Sequence, residues 1–81
     1  MSKINDILQA RQEKYGDALE NFERIGRIWA ALLDIDDIQP YQVALMMDAL
    51  KTVRLFNHPT HMDSWLDKEG YIHHGKDIVT R

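Results

Sequence analysis

Residues 40–56 read PYQVALMMDALKTVRLF and form the most apolar stretch of this 81-residue chain. Apolar residues recur there every three or four positions, which is the period of an amphipathic α-helix. Pro40 suits the first position of such a helix, where its missing N–H costs nothing. The segment Asn57-His58-Pro59 ends it, because a residue before proline avoids the helical region. The stretch therefore predicts a central helix against which the other segments pack.

Three further helical patterns flank the central one, and no segment shows the alternation of a β-strand. Residues suited to N-caps stand before these patterns, and short polar breaks separate them. Four helices with short connections predict an all-α fold, a small antiparallel four-helix bundle in a single domain. The predicted spans are 2–14, 18–33, 40–56 and 61–78, with Ser2, Asp17 and Thr60 as N-caps and Glu20 completing a capping box with Asp17.

The apolar faces of these helices predict the core. Helix 18–33 and helix 40–56 each carry a wide apolar face, and both tryptophans and the methionines are predicted to be buried. The predicted core residues are Phe22, Ile25, Trp29, Leu32, Leu33, Val43, Met46, Met47, Leu50, Val53 and Trp65, with Leu45, Ala49 and Phe56 beside them.

Composition limits the class of protein. The chain has no cysteine, which excludes disulfides and thiolate metal sites and is compatible with a reducing compartment. It has no apolar run of membrane-spanning length and no basic-then-apolar leader, so we expect a soluble protein of the cytoplasm without a membrane partner. The net charge of −3 and the lack of a basic run argue against nucleic-acid binding through phosphates.

Residues 63–71, DSWLDKEGY, combine acids, an aromatic ring and a glycine at helical offsets. Asp63, Asp67, Gly70 and His74 fall within roughly 60° of one another around a helix. Two carboxylates one turn apart can share a divalent cation, so this face is a candidate metal site. The alternative, which we favour, is a solvated acidic face on an amphipathic helix.

A second acidic pair stands on helix 18–33, at Glu20 and Glu23. Together with Asp63 and Asp67, these carboxylates could hold Mg²⁺ and, through it, a phosphate chain. The structural alternative is that Glu20 caps its helix and that both glutamates pair with the arginines four residues later, Arg24 and Arg27.

Basic and polar residues near the apolar faces are candidate substrate ligands. Lys51 and Arg54 could bind phosphates, and Asn21 or Tyr71 could contact a sugar or base. For Asn21, a hydrogen bond to a main-chain group of another helix is the commoner alternative. The structural alternative, an Arg54 ion pair with Asp63 or Asp67, is the stronger one. The four histidines, His58, His61, His73 and His74, have spacings that do not favour a zinc site.

A series of different short motifs is distributed along nearly the whole chain. They are Lys14-Tyr15-Gly16-Asp17, Glu20-Asn21-Phe22, Ile28-Trp29, Val43-Ala44-Leu45-Met46-Met47, Leu50-Lys51, Arg54, Asp63-Ser64-Trp65, Asp67 and Gly70-Tyr71. This series resembles a family of short phage and prophage proteins of unknown function, the DUF6378 type. The resemblance implies a phage or prophage origin, and hence the host cytoplasm as the location.

Glu20-x-x-Glu23 is also similar to the first metal motif of the all-α, MazG-like nucleoside triphosphate pyrophosphohydrolases. That more distant resemblance implies an oligomeric helical bundle that holds Mg²⁺. The second motif of that group, Glu-x-x-Asp, differs here, because Asp63 and Asp67 stand four residues apart.

Two hypotheses about function follow. In the first, the protein binds or hydrolyses nucleotides with Mg²⁺ held by the acidic residues. In the second, it is a non-catalytic phage accessory protein that acts by binding another protein. Acidic faces opposite the main apolar faces, with Gly70 among them, also predict a homo-oligomer.

Overall fold

The computed structural model describes residues 17–81, in which three α-helices follow one another. No β-strand occurs in this part of the chain, which confirms the all-α prediction there. The predicted helix over 2–14 lies outside the described residues. The described part of the chain is therefore a three-helix fold, and the predicted four-helix bundle is not shown. None of the three helices is long and apolar enough to cross a membrane. They are α1 (Ala18–Leu33), α2 (Pro40–Asn57) and α3 (Met62–Val79).

Helix α1 begins after Asp17, as predicted, and only its predicted side-chain cap differs, whereas its end has a clear local cause. The side chain of Asp17 makes no capping hydrogen bond, so the predicted capping box with Glu20 is wrong. At the other end Asp34 has a φ of 55°, in the left-handed region. The N–H of Asp34 donates to the Ala31 carbonyl over 3.3 Å and that of Ile35 to the Ala30 carbonyl over 3.0 Å. These two bonds form a Schellman motif.

The starts of α2 and α3 use caps that the sequence did not predict. The main-chain N–H of Gln39 donates to Oε1 of Gln42 over 2.8 Å, and the Gln39 side chain accepts in return from the Gln42 N–H. This reciprocal pair is a capping box made of glutamines. The N-cap of α3 is His61, so the prediction of Thr60 is wrong by one residue.

The helices α2 and α3 form an antiparallel hairpin, which is the most extensive packing within residues 17–81. Its register runs from Ala44 beside Gly75 to Asp48 beside Lys68. A Cβ atom on Gly75 would lie 3.3 Å from the Cβ atom of Ala44, so the small residues allow the two helices to approach closely.

Helix α1 packs on one side of this hairpin. Phe22 is buried, with its ring centroid 6.3 Å from that of Tyr71 and 6.1 Å from that of His74. Gly26 lies against the Ile38 main chain and Val43. Burial of side chains such as Phe22 and Val43 contributes about 1.5–3 kcal/mol each. The buried core consists of Phe22, Ala30, Ile38, Val43 and Ala44, with Ile25, Trp29, Met47, Tyr71 and Ile78 packed against it.

Much of the predicted core is exposed. Phe22 and Val43 are buried and Ile25, Trp29 and Met47 are partly buried, as predicted, but Trp65 is 45% exposed and Phe56 is 86% exposed. A small domain buries a modest share of its apolar surface, and α1 covers one side of the hairpin only. The other residues for which the prediction of burial or partial burial is wrong are Leu32, Leu33, Leu45, Met46, Ala49, Leu50, Val53 and Met62.

We expect Gly26→Ala to destabilise the fold by about 1–3 kcal/mol. A Cβ atom at position 26 would overlap the carbonyl oxygen of Ile38 and lie 3.4 Å from Cγ2 of Val43, and a main-chain oxygen cannot swing aside as a flexible side chain can. Urea unfolding followed by circular dichroism measures the effect. The matched control is Gly75→Ala, where the gain in helix propensity of up to about 1 kcal/mol offsets the milder crowding. Equal losses in the two variants would contradict this account.

Candidate functional site

Two ion pairs cross the seam between α2 and α3. Nζ of Lys51 lies 3.0 Å from Oδ2 of Asp67, and the two side chains are 12% and 13% exposed. Nζ of Lys68 lies 2.8 Å from Oδ1 of Asp48 and also donates to the Thr52 hydroxyl over 2.6 Å. Because each pair joins one helix to the other, the two pairs fix the register of the hairpin.

The predicted ion pair of Arg54 with Asp63 or Asp67 is wrong. Asp67 pairs with Lys51, which lies one helical turn before Arg54, and Asp63 is exposed. Arg54 is itself exposed and forms no ion pair within residues 17–81. The α2–α3 register places position 51, rather than position 54, opposite Asp67. The Arg54 guanidinium is therefore too far from that carboxylate to pair with it.

The predicted acidic quartet is distributed over two helices with different surroundings. Glu20 and Glu23 on α1 and Asp63 on α3 are exposed, whereas Asp67 is engaged with Lys51. Within the described chain, no group of three or more histidine, aspartate or glutamate side chains is arranged to hold a metal ion. The residues present therefore do not form a ready Mg²⁺ site, and the Mg²⁺ prediction stays a prediction.

The predicted structural pairs on α1 are wrong as well. Glu20 with Arg24 and Glu23 with Arg27 are not among the ion pairs formed within residues 17–81. All four side chains are exposed. Exposed pairs at this spacing contribute little, so the cost of ordering long side chains outweighs the attraction.

Asn21 and Tyr71, the predicted sugar or base ligands, lie near the core. Asn21 precedes Phe22 on α1 and is half-buried. Tyr71 packs beside the Phe22 ring and lines one end of an apolar cavity of about 260 Å³. Neither residue lies in a cavity with Lys51 or Arg54 among those that the described residues line.

A cavity of about 300 Å³ lies at the turn between α2 and α3. Its walls are Arg54, Asn57, His58 and His61, and we call it the turn cavity. Of these residues, only Arg54 belongs to the substrate ligands predicted from sequence. The spacing 54, 57, 58 and 61 is that of one helix face, which is a signal for their proximity, although Pro59 ends α2 within it.

A long, shallow depression runs along the hairpin between α2 and α3, with Tyr71 between it and α1, and we call it the α2–α3 groove. It consists of three adjoining cavities of about 260, 520 and 390 Å³. Ile72 is shared by the first two, and Trp65 and Lys68 by the last two. Sequence reasoning missed the groove because it placed Leu45, Phe56 and Trp65 in or beside the core. Its exposed apolar residues are Tyr41, Leu45, Phe56, Trp65, Ile72 and Val79.

Comparisons with known proteins place this geometry in context. The model of a family described as a domain of unknown function, DUF6378, matches residues 1–79. The Gene 55 protein of Mycobacterium phage L5 is 41% identical over 61 residues, which cover 75% of this chain and 39% of that protein. No solved structure matches the chain. Together, the family and the relative support a phage protein of unknown function.

We expect Asp67→Asn to lower the free energy of unfolding by about 1–3 kcal/mol, because the poorly exposed Lys51 ammonium loses its counter-charge. Adding Lys51→Met should recover part of the loss, since the Lys51 ammonium that lost its counter-charge is then gone. Urea unfolding of both single variants and the double variant measures the coupling.

The control for this cycle is the pair of Asp77 and Arg81, whose side chains are 50% and 52% exposed. The Arg81 side chain lowers the pKa of the Asp77 carboxyl, chiefly by hydrogen bonding. The Asp77 side chain is nevertheless half exposed to solvent, so Asp77→Asn should hardly change stability. Additive effects of Lys51→Met and Asp67→Asn would contradict a stabilising pair between them.

Proposed function

This chain belongs to the DUF6378 family, and we propose that it works through protein–protein contact, with a second copy of itself seated in the α2–α3 groove. The observation that carries the proposal is the set of six large apolar side chains that line this groove and remain exposed. Several large apolar side chains exposed along one face of a small domain mark an interaction surface.

The groove is built from one stripe of residues on each helix. On α2, positions 41, 45, 48, 52 and 56 recur at helical spacing, and on α3 positions 65, 68, 72, 76 and 79 do the same. The residues that meet α1, such as Tyr71 and His74, lie more than about 90° away around α3 from the middle of its stripe. The two stripes therefore face outward together, with nothing from residues 17–33 covering them.

The exposed area suits a dimer. The six apolar residues are each 39% to 86% exposed, and they supply apolar area toward the about 800 Å² that each partner contributes to a standard interface. Burial of this area in a second copy would stabilise a domain whose own core is small.

Charge complementarity selects the arrangement of the two copies. The middle of the groove carries Asp48 on α2 and Lys68 on α3, whereas both ends are apolar. A two-fold axis parallel to the helices sets α2 of one copy against α3 of its partner, so that Asp48 meets the partner's Lys68. An axis across the helices would instead oppose like charges, which is unfavourable. The favoured arrangement is a four-helix bundle made from two hairpins.

Mg²⁺-dependent binding or hydrolysis of nucleoside triphosphates is a second candidate function, favoured by the exposed Arg54. An arginine that is not engaged in an ion pair within residues 17–81 can meet phosphate oxygens with its planar fork. Lys51 is less available, since Asp67 holds its ammonium. In this candidate, the predicted ligands Glu20, Glu23 and Asp63 would have to converge when the metal binds.

We expect the wild-type protein to sediment as a dimer at micromolar concentration, and Ile72→Glu to make it a monomer with unchanged helicity. Ile72 is 47% exposed and lines the first two of the three cavities that form the groove. A glutamate carboxylate at this position would be buried in the dimer, which costs much free energy of association. The matched control is Leu32→Glu on α1, which is 77% exposed and outside the groove, and which should leave the dimer intact. A monomeric wild type, or a dimer lost through Leu32→Glu instead, would refute this interface.

For the second candidate, we expect Mg²⁺ and a nucleoside triphosphate together to raise the melting temperature, because a ligand of the folded state stabilises it. Asp63→Asn should abolish the shift without unfolding the protein, since Asp63 is exposed. Glu69→Gln, an exposed carboxylate of the same helix outside the predicted quartet, is the control. A panel of nucleotides that leaves the wild-type melt unchanged would remove this candidate.

A further inference from the structure

We infer that the turn cavity between α2 and α3 is a binding site for a phosphate group, either as the free ion or as a phosphate monoester. The inference goes beyond self-association through the groove and requires no Mg²⁺. It starts from the cavity of about 300 Å³ lined by Arg54, Asn57, His58 and His61.

All four lining residues carry hydrogen-bond donors. Arg54 offers a charged, planar fork of N–H groups that matches the oxygens of a phosphate. Asn57 offers an amide NH₂ group, and each imidazole of His58 and His61 offers a ring N–H. None of the described carboxylates lines this cavity, and Arg54 forms no ion pair within residues 17–81. The donor set is therefore complementary to an anion with several acceptor oxygens.

The backbone of the turn holds these donors together. The His58 N–H donates to the Arg54 carbonyl over 2.8 Å, and the His61 N–H donates to the His58 carbonyl over 3.1 Å. The two imidazole ring centroids lie 5.9 Å apart as a result. On the outer side, the indole N–H of Trp65 donates to the Pro59 carbonyl over 2.9 Å. These bonds define the shape of the cavity before any ligand arrives, which lowers the ordering cost of binding.

A buried hydroxyl fixes one of the donors. Nδ1 of His61 lies 2.7 Å from Oγ of Ser64, and Ser64 is fully buried. When the serine hydroxyl donates to Nδ1, the proton of the neutral imidazole sits on Nε2. In that tautomer the serine orients the ring, and Nε2–H is the donor for an outside acceptor.

The start of α3 adds to the attraction for an anion. His61 is the N-cap of this helix, and its side chain makes no capping hydrogen bond to the first-turn N–H groups. The positive end of the helix dipole thus lies next to the cavity. Asp63 in the first turn of α3 opposes this field, since it is a carboxylate close to the same helix end. Removal of that charge should therefore strengthen binding rather than weaken it.

The test is a titration of the ¹⁵N-labelled full chain with inorganic phosphate at constant ionic strength, in EDTA so that no metal is held by the imidazoles. Amide and side-chain signals of Arg54, Asn57, His58 and His61 should shift together along one saturable curve. Arg54→Gln should weaken binding at least tenfold, and Asp63→Asn should tighten it. Arg27→Gln, an exposed arginine of α1 outside the cavity, is the matched control and should change nothing.

Two further arms identify the source of the phosphate and separate the two proposals. A nucleoside monophosphate that shifts the same signals supports a monoester as a ligand of this cavity, whereas equal affinity for free phosphate supports the phosphate group itself as the recognised part. The same titration on Ile72→Glu should give unchanged affinity, since the turn cavity does not include the groove. No saturable shift with phosphate or the monophosphate, or equal losses in Arg54→Gln and Arg27→Gln, would overturn the site.

Discussion

The ion pair between Lys51 and Asp67 is the interaction on which the described structure depends most. It is the less exposed of the two pairs that cross the hairpin, and a pair with so little water around it tolerates no slip between α2 and α3. A shift of one residue along either helix would turn its side chains by about 100° and separate the charges. Together with the Asp48–Lys68 pair and the close approach of Ala44 to Gly75, this pair fits one register of α2 and α3, and that register leaves one pair of helix faces outside.

The consequence is a hairpin with two unequal sides. Helix α1 covers one of them, where Gly26 lets its backbone approach the Ile38 carbonyl and Phe22 reaches Tyr71. The other side keeps apolar residues at both ends and an ion pair at its centre, Asp48 with Lys68. An apolar surface interrupted by charges of both signs favours specific over non-specific association. A partner must present complementary charges in order to cover the apolar residues.

The sequence predicted the helices within 17–81 well, because their ends depend on local chemistry. Pro40 and Pro59 mark boundaries that no packing overrides. The buried faces were predicted less well. Helix α2 is apolar around most of its circumference, so periodicity could not tell Val43, which is buried, from Val53, which is exposed. Among the candidate ligands, the choice of Lys51 over Arg54 as the partner of Asp67 depends on tertiary register, which no local pattern encodes.

That same choice connects the fold to the turn cavity. Because Asp67 pairs with Lys51, it does not pair with Arg54, which lies one turn further along α2 beside the two histidines of the turn. An arginine paired with a carboxylate would have met a phosphate only after breaking that pair, at a cost comparable to what the new contact gains. The ion pair between α2 and α3 thus contributes to the turn cavity indirectly, by engaging Asp67, one of the two carboxylates that the sequence predicted as partners of Arg54. The groove and the turn cavity share no lining residue, but they adjoin, because Trp65 of the groove donates its indole N–H to the Pro59 carbonyl of the turn.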